Sequence, residues 1–578
     1  MKLIDALKIL KQPIPEDAPL RRIFLACGFT PLHLQTFLAA HLRRFSPQQR
    51  IEVQTGLFAD LVGNVERLQG SRFDMAVVMV EWQDLDQRLG IRSLGGWRAT
   101  DLADILNSVE QAIGRLKEAL RLASTNLPVC VCMPTLPLPP IFTPPTRQAS
   151  PYELQLRQSV ASLAASIAGQ PRVRVLSAQR LDEVSPPHAR FDAKTELMAG
   201  FPYTLPHVSE LAELLAALIQ NPAPMKGIIT DLDDTLWKGI LGEVGTDGIS
   251  WHLNCHAQVH GLYQQFLGSL ASAGVLIAVA SKNDRALVEQ AFERKDLIIS
   301  KESVFPMEAH WNSKSESARR ILNKWNIGPE AVVFIDDSPM ELAEVKAAFP
   351  EMECVLFPKN DYQAVWDLFR RLRDLFGKST LSEEDSIRLQ SIRGASALHE
   401  LPDAAGSSLD SFLQNANANI QFTLGKRTGD TRSFELVNKT NQFNLNGKRV
   451  SESEWIDYVN DPKTFLLTVS YDDKYGPLGQ IAVLMGRADC KKVSIDTWVM
   501  SCRAFSRRIE HQCLRYLFEK FSADEIAFDY QATARNGPLQ EFFAEFLQVD
   551  QAPGLRLSRS CFAEKTPRLF HQVKEGGS

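Results

Sequence analysis

The sequence predicts an α/β multidomain protein. Its 578 residues allow about three or four domains. Through the middle of the chain, short apolar runs alternate with segments of helical period. That is the order of a parallel sheet with crossover helices. Hydrophobic residues make up 44% and charged residues 23%, a balance that supplies ordinary globular cores.

Charge and patterning exclude several classes of function. The 64 basic and 69 acidic side chains leave a net charge of −5. That provides no basic field for DNA or RNA, so no nucleic-acid partner is expected. The longest apolar runs, residues 75–80 and 275–280, are far shorter than the ~18 residues of a membrane span and read as buried strands. The start, Met1-Lys2-Leu3-Ile4-Asp5, is not followed by the apolar stretch of a secretory signal. The nine cysteines are scattered and odd in number, which suits a reduced, cytoplasmic protein.

The elements fall into successive zones. Residues 1–222 read as a first α/β domain, with strands at 22–26, 73–80 and 173–176 and a helix at 102–122. Residues 133–151 hold seven prolines and are expected to be a surface loop, since each proline lacks an N–H and fixes φ. The second domain, 223–376, alternates strand (226–230), helix (260–273), strand (275–281), helix (286–294), helix (315–325), strand (331–336) and helix (341–348). Residues 377–408 read as a polar linker helix. The last domain, 409–578, has strands at 465–471, 479–485, 492–499 and 525–530, with helices at 509–521 and 537–546.

The chemistry concentrates in the second domain. The segment Thr230-Asp231-Leu232-Asp233-Asp234-Thr235-Leu236-Trp237-Lys238-Gly239 brings Asp231 to the carboxyl end of a strand, the edge where open α/β sheets bind ligands. Carboxylates this close repel each other, and burial increases the repulsion. A divalent cation relieves both, and Mg²⁺ prefers such oxygen ligands. Two later strands end at the same edge, in Ser281-Lys282-Asn283-Asp284 and in Asp336-Asp337-Ser338-Pro339, and Lys314 opens a helix between them. A nucleophile, an acid, a cation and a metal site are the parts that phosphoryl transfer requires.

This arrangement resembles the haloacid-dehalogenase (HAD) superfamily, whose first motif is Asp-x-Asp-x-Thr. The resemblance implies a Rossmann-like domain and a set of roles. Asp231 would attack phosphorus, and Asp233 would protonate the leaving oxygen and then activate water. Ser281 and Lys314 would hold the phosphoryl oxygens. Asp336 with Asp337 would complete a Mg²⁺ site with Asp231 and the Asp233 carbonyl. Thr235, Trp237, Lys238, Lys282 and Asn283 are candidates to contact substrate.

The longer strings, with Leu241-Gly242-Glu243 and Phe334-Ile335-Asp336-Asp337-Ser338-Pro339, look like the FkbH-like branch. Leu436-Val437-Asn438-Lys439-Thr440-Asn441-Gln442-Phe443-Asn444-Leu445 and Ser494-Ile495-Asp496-Thr497-Trp498-Val499-Met500-Ser501-Cys502-Arg503 look like its C-terminal blocks, in a domain similar to the GNAT acyltransferases. The first domain is similar to an SGNH-hydrolase-like domain. The resemblance implies an enzyme that takes 1,3-bisphosphoglycerate, dephosphorylates it and delivers glyceryl to an acyl carrier protein in polyketide or related biosynthesis. The alternative is a phosphosugar phosphatase coupled to acyl transfer in surface-polysaccharide assembly. A scaffold with relic sites is the non-enzymatic alternative.

Three further features follow from the residues themselves. The run Asn438–Asn444 reads either as a solvated turn or as a surface that hydrogen-bonds a polar ligand such as pantetheine, through Asn441 among others. Cys502 beside Arg503 is a candidate thiolate, because an adjacent cation lowers a thiol pKa, and Arg503 is itself a candidate to contact substrate; Cys255 and Cys27 are lesser candidate thiols. Residues 503–510 lack the glycine of a pyrophosphate-binding turn, so free CoA is not expected, although Arg507 and Arg508 suit a phosphate. In the first domain, Cys27, Thr30 and His207 occupy places where a hydrolase site would fall. No Gly-Asp-Ser is present, and the domain is expected to be non-catalytic.

Overall fold

The computed structural model describes the chain except residues 16, 71, 95–96, 141–146, 171, 379–380, 400–407, 428, 475, 490, 502–503, 506, 534, 547–554 and 577–578. It divides into two compact units, Met1–Pro222 with Ser451–Tyr458, and Ala223–Val450 with Val459–Ser578.

The first unit is built on a parallel sheet of β1 (Leu20–Cys27), β2 (Arg50–Thr55), β3 (Met75–Met79), β4 (Val129–Cys132) and β5 (Val173–Val175), in the order β2-β1-β3-β4-β5. Alternation along each strand feeds two cores. Ile23, Leu25, Val77 and Met79 face helices Leu32–Phe45 and Leu205–Gln220, whereas Ala76 and Val78 face helices Leu102–Asn126 and Pro151–Ala168. Because both faces are covered, β3 and β4 are apolar along their whole length. The last of the seven prolines, Pro151, opens a helix behind the N-cap Ser150, where its missing N–H has no intrahelical partner to lose. The short segment from the far end of the chain belongs here: Glu452 pairs with Arg174, and Ser453 Oγ donates to Asp74 at 3.4 Å.

The second unit holds two sheets. One consists of β6 (Gly227–Thr230), β7 (Leu276–Ser281), β8 (Val304–Ala309), β9 (Val332–Asp336) and β10 (Glu353–Leu356), all parallel, in the order β10-β9-β6-β7-β8. β8 and β10 are absent from the sequence prediction. Both are edge strands with half-buried patterns, so they lack the continuous apolar run of the inner strands, and β8 carries Pro306, which an edge tolerates. Helix Glu383–His399 packs on this sheet's helices through Ile392, which joins Ile321 and Trp325. It is pinned by Arg388, which donates to the Gly274 carbonyl at 2.7 Å.

The other sheet is mixed: β11 (Asn419–Leu424), β12 (Thr464–Asp473), β13 (Gly476–Asp489), β14 (Lys492–Met500), β15 (Glu525–Phe528), β16 (Leu555–Ser558) and β17 (Gln572–Gly576), in the order β16-β15-β14-β13-β12-β11-β17. β14 and β15 are parallel but pair only from Lys492↔Glu525 to Ile495↔Phe528. Beyond that point residues 443–446 run alongside β14. The Leu445 N–H donates to Trp498, and the Met500 N–H donates to Phe443.

Helix Lys314–Trp325 lies close against β6. An ideal Cβ on Gly227 would sit 2.5 Å from Trp325 Cζ3, closer than a buried indole can accommodate without moving. Gly227→Ala is expected to destabilise the protein by about 1–3 kcal/mol, the usual range for overpacking. Urea unfolding would show a lower midpoint at unchanged slope.

Candidate active site

In the first sheet of the second unit the strand order reverses at β6, which has β7 on one side and β9 on the other. Chains leaving β6 and β9 diverge there, and the crevice at their carboxyl ends is where such sheets bind ligands. Asp231 follows β6 and Asp336 ends β9. Both are buried, so the sheet sets two carboxylates side by side out of water.

Lys314 answers them. It is the first residue of helix Lys314–Trp325, entered through the Ser313 N-cap. Its Nζ lies 2.7 Å from Asp231 Oδ1, 2.5 Å from Asp336 Oδ2 and 2.6 Å from Glu341 Oε2. Three acceptors match the three N–H groups of an ammonium. Burial would lower the Lys314 pKa, but Asp231 and Asp336 outweigh it and the pKa is raised. Burial pushes Asp231 up to about 6 against the pull of Lys314. Burial and then the Asp231 charge push Asp336 up to about 7. Glu341 goes the other way: burial would raise it, and Lys314 and then Lys282 bring it below the usual range. One cation therefore does not compensate the buried carboxylates fully.

Asp337 extends the acidic set. One carboxylate oxygen from each of Asp231, Asp336 and Asp337 lies within 4.8 Å of the others. An all-oxygen set, two of whose members hold protons unusually well for want of positive charge, fits a hard divalent cation such as Mg²⁺. Asp337 also meets Lys359 Nζ at 2.8 Å, and that ammonium reaches Asp234 at 2.6 Å. Asp234 adopts a left-handed conformation, φ +52°, and accepts the Gly239 N–H at 2.8 Å.

The Asp233 side chain turns away from this cluster. Its Oδ1 accepts Trp237 Nε1 at 2.9 Å and the Leu241 N–H at 3.1 Å, and its Oδ2 accepts Asn283 Nδ2 at 3.0 Å. Asn283 Nδ2 also lies 3.0 Å from Ser281 Oγ. Asp233, Asn283 and Ser281 thus form one hydrogen-bonded group at the ends of β6 and β7. The Asp233 carboxylate is not among the clustered carboxylates, which leaves its carbonyl as its contribution to a metal site.

The other predicted substrate contacts separate. Trp237 is fully buried against Phe292 and acts on Asp233 rather than on a ligand. Thr235 is also fully buried; its hydroxyl has no hydrogen-bond partner among the described residues, and its carbonyl lies 2.9 Å from His260 Nδ1. Lys282 pairs with Glu341 at 2.9 Å. Lys238 is exposed and donates to the Cys255 carbonyl at 3.1 Å. Glu341, Lys359 and His260 were not singled out from sequence. Glu341 carried a signal: Ser338-Pro339-Met340-Glu341 has the Ser-x-x-Glu form of a helix start, and Ser338 does cap helix Pro339–Ala348. Lys359 and His260 carried none.

In the mixed sheet, three residues of the polar run that sequence offered as a ligand surface, Asn438, Asn441 and Asn444, are engaged internally, while Gln442 Oε1 is buried without a partner among the described residues. Asn438 Nδ2 donates to Phe434 and Val450. Asn444 Nδ2 donates to Thr440, and its Oδ1 accepts the Gly447 N–H. Asn441 contacts Arg449 and, at 3.4 Å, Glu330. Asn446, at 3.1 Å from the carbonyls of Asp496 and Asp529, bridges β14 to the chain after β15 where their pairing has ended. Arg507 is buried beside Asp473 at 3.3 Å, and Arg508, at φ +56°, pairs with Asp410 at 2.7 Å. Both arginines meet carboxylates of this chain. Cys502 and Arg503 lie outside the described residues.

In the first unit, Cys27 is buried, its Sγ donates to the Phe29 carbonyl at 3.2 Å, and burial pushes its thiol up to about 12. Thr30 Oγ1 donates to the Ala199 carbonyl at 2.8 Å. His207 is buried with Nδ1 2.9 Å from Ser185 Oγ and Nε2 3.4 Å from Thr135 Oγ1, and burial lowers its pKa to about 3. A protonated thiol and a histidine with both nitrogens engaged are poor parts for hydrolysis.

The second unit is therefore an α/β protein with a carboxylate-lined switch point and a second, mixed sheet. No protein-family model and no curated protein matches the chain. Among solved structures, the chain is similar to the N-terminal part of the protein BF1531 from Bacteroides fragilis, described as containing a phosphatase domain complexed with Mg. The TM-score is 0.52 at 19% identity, covering 66% of this chain and 100% of that one. The likeness is one of fold. A salicylyl-acyltransferase, SsfX3, from a tetracycline biosynthetic pathway aligns at a TM-score of 0.20 and 11% identity, over 35% of this chain and 54% of that one. A fungal glucosamine N-acetyltransferase region aligns at 0.15 and 9%, over 94% and 66%. Neither of these two likenesses extends to a shared overall fold. Among the described residues no helix is long and apolar enough to cross a membrane.

Metal binding should compete with protons here. Carboxylates ligate when deprotonated, and Asp231 and Asp336 are pushed up to about 6 and about 7. Mg²⁺ affinity is expected to rise as pH increases through that range and to level off above it, with proton release near neutrality, as read by calorimetry in buffers of differing ionisation heat. Asp336→Asn should abolish the binding, and an affinity independent of pH would contradict the assignment.

Proposed function

We propose that this chain is a Mg²⁺-dependent phosphatase and glyceryltransferase of the HAD type. On this reading it takes 1,3-bisphosphoglycerate, removes phosphate and loads glyceryl onto the phosphopantetheine thiol of an acyl carrier protein. The observation that carries the phosphatase half is the contact of Lys314 with Asp231 and Asp336, beside Asp337 and the Asp233–Asn283–Ser281 group. The fold likeness to a structure with a phosphatase domain supports it.

The residues divide the work. Asp231 Oδ attacks phosphorus, the bond from phosphorus to the leaving oxygen breaks, and an aspartyl-phosphate forms. Asp233 delivers the proton to the leaving oxygen and later takes one from the attacking water. Its Oδ2, with a single donor from Asn283, is the oxygen free to carry that proton. Ser281 and Lys314 hold phosphoryl oxygens, Lys314 by exchanging one of its three carboxylate partners for phosphate, and Lys314 offsets the charge that builds there. Asp231, Asp336 and Asp337 would hold Mg²⁺, which would supply charge neutralisation and orientation there.

The acyl half rests on the C-terminal blocks of the sequence. A thiolate attacks the carbonyl of the acyl-phosphate, the C–O bond to phosphate breaks, and a thioester forms. Cys502 and the carrier-protein thiol are the two candidates for that sulfur.

Two measurements test the halves separately. Asp231→Asn is expected to lower Mg²⁺-dependent phosphate release by about 10³-fold or more, the scale of losing a nucleophile, with the far-UV spectrum unchanged. Incubation of a holo acyl carrier protein with enzyme, Mg²⁺ and 1,3-bisphosphoglycerate is expected to add one glyceryl mass to the phosphopantetheine arm. Absence of that mass gain, with phosphatase activity intact, would remove the acyl half.

A further inference from the structure

We propose that Lys359 is a positioning residue that sets the ion selectivity of the acidic cluster. It occupies one oxygen of Asp337, which leaves that carboxylate a single oxygen for a metal and favours Mg²⁺ over Ca²⁺. This role rests on the metal reading of Asp231, Asp336 and Asp337 and goes beyond it, because Lys359 lies outside that set.

The chain holds Lys359 in a short, fixed turn. Phe357, just past the edge strand β10, is buried, and its N–H donates to the Asp336 carbonyl at 2.8 Å. The Lys359 N–H donates back to the Phe357 carbonyl at 2.9 Å, and the Asp361 N–H donates to the Pro358 carbonyl at 2.9 Å. The Asp361 carboxylate caps helix Tyr362–Phe376, accepting the Ala364 N–H at 3.0 Å. Asp361 is thereby spent on the helix start, and the Lys359 ammonium turns to two other carboxylates.

Lys359 Nζ lies 2.8 Å from Asp337 Oδ2 and 2.6 Å from Asp234 Oδ2. Asp234 Oδ1 accepts the Gly239 N–H at 2.8 Å, so that carboxylate is held from both sides. The ammonium ties the turn after β6, which carries the Asp233 carbonyl, to the end of β9, where Asp337 stands. The other cationic groups nearby have different partners. Lys314 meets Asp231, Asp336 and Glu341, and Lys282 meets Glu341. Lys238 donates to the Cys255 carbonyl, and His260 Nδ1 lies 2.9 Å from the Thr235 carbonyl. Among the described residues, Lys359 alone forms an ion pair with Asp337.

The number of free oxygens decides which ion such a cluster suits. Lys314 engages Asp231 Oδ1 and Asp336 Oδ2, and Lys359 engages Asp337 Oδ2. A carboxylate held at one oxygen ligates through the other. Mg²⁺ demands a compact octahedral shell and keeps several waters, whereas Ca²⁺ takes a larger shell and accepts carboxylates through both oxygens. Without Lys359, Asp337 would be free to ligate with both. The site would also lose a positive charge, which strengthens the binding of any divalent cation. The freed oxygen strengthens Ca²⁺ most.

The test titrates the full-length protein with MgCl₂ and, separately, with CaCl₂ by calorimetry, in the wild type, Lys359→Met and Lys359→Arg. In Lys359→Met both Kd values are expected to fall, that for Ca²⁺ by about ten-fold more than that for Mg²⁺, the scale on which outer-shell partners alter metal affinity. Lys359→Arg keeps the charge and the N–H donors and is expected to retain the wild-type ratio. As a second measurement, Ca²⁺ should inhibit Mg²⁺-dependent phosphate release at about ten-fold lower concentration in Lys359→Met. Equal gains for the two ions would reduce Lys359 to a bystander charge and overturn the role, as would an unaltered ratio. Weaker binding of both ions with a diminished far-UV signal would mark Lys359 as structural and overturn it too. Mg²⁺ binding that is absent from the wild type, or that survives Asp336→Asn, would overturn the metal reading as well.

Discussion

Lys314 is the residue on which the rest of the candidate site depends. Its ammonium contacts Asp231, Asp336 and Glu341 within 2.7 Å, and all of these groups are largely withdrawn from water. Two buried carboxylates on neighbouring strands repel strongly at low dielectric. Without a cation between them, one or both would take up a proton. The raised positions of Asp231 and Asp336 show that Lys314 meets part of this demand, and the proximity of Asp337 shows where further positive charge would fit.

The surrounding fold serves that contact. β6 and β9 are neighbours because the strand order reverses between them, and this brings Asp231 and Asp336 to one crevice. Two helix starts complete the set. Ser313 caps the helix that begins with Lys314, and Ser338 caps the helix that carries Glu341 in its first turn. Each cap fixes the entry angle of its helix, so a lysine and a glutamate from separate segments converge. Trp237 is buried for the same end: its indole N–H holds Asp233 beside Asn283.

The mixed sheet shows how the same residue types serve stability instead. Asn444, Asn446 and Asn536 are buried, and their side chains bond main-chain groups where β14 and β15 part. Buried amides in this position satisfy backbone groups that the sheet has left unpaired. Arg507 and Arg508 likewise meet carboxylates of their own chain. A dense polar run in sequence is equally consistent with a ligand surface and with an internal seam, because both need the same donors and acceptors.

The inner strands β6, β7 and β9 and the acidic motif were legible in the sequence, whereas β4 and β11, inner strands of the other two sheets, were not read from it. A strand buried on both faces must be apolar throughout, and although a single Asp or Ser at a strand end is most often a turn residue, the joint occurrence of Asp231, Ser281, Lys314 and Asp336 in one order made β6, β7 and β9 stand out. The edge strands β8 and β10 were not legible, since half-burial removes the pattern that marks a strand. Sequence by itself determined the α/β class, which carboxylates stand at the strand ends of the candidate site and the helix that begins at Lys314. The tertiary structure decided which groups meet: Glu341 on Lys314, Lys359 between Asp234 and Asp337, and His260 on the Thr235 carbonyl. These contacts join residues distant in the chain through side-chain direction and helix packing, which no local pattern of residue types encodes.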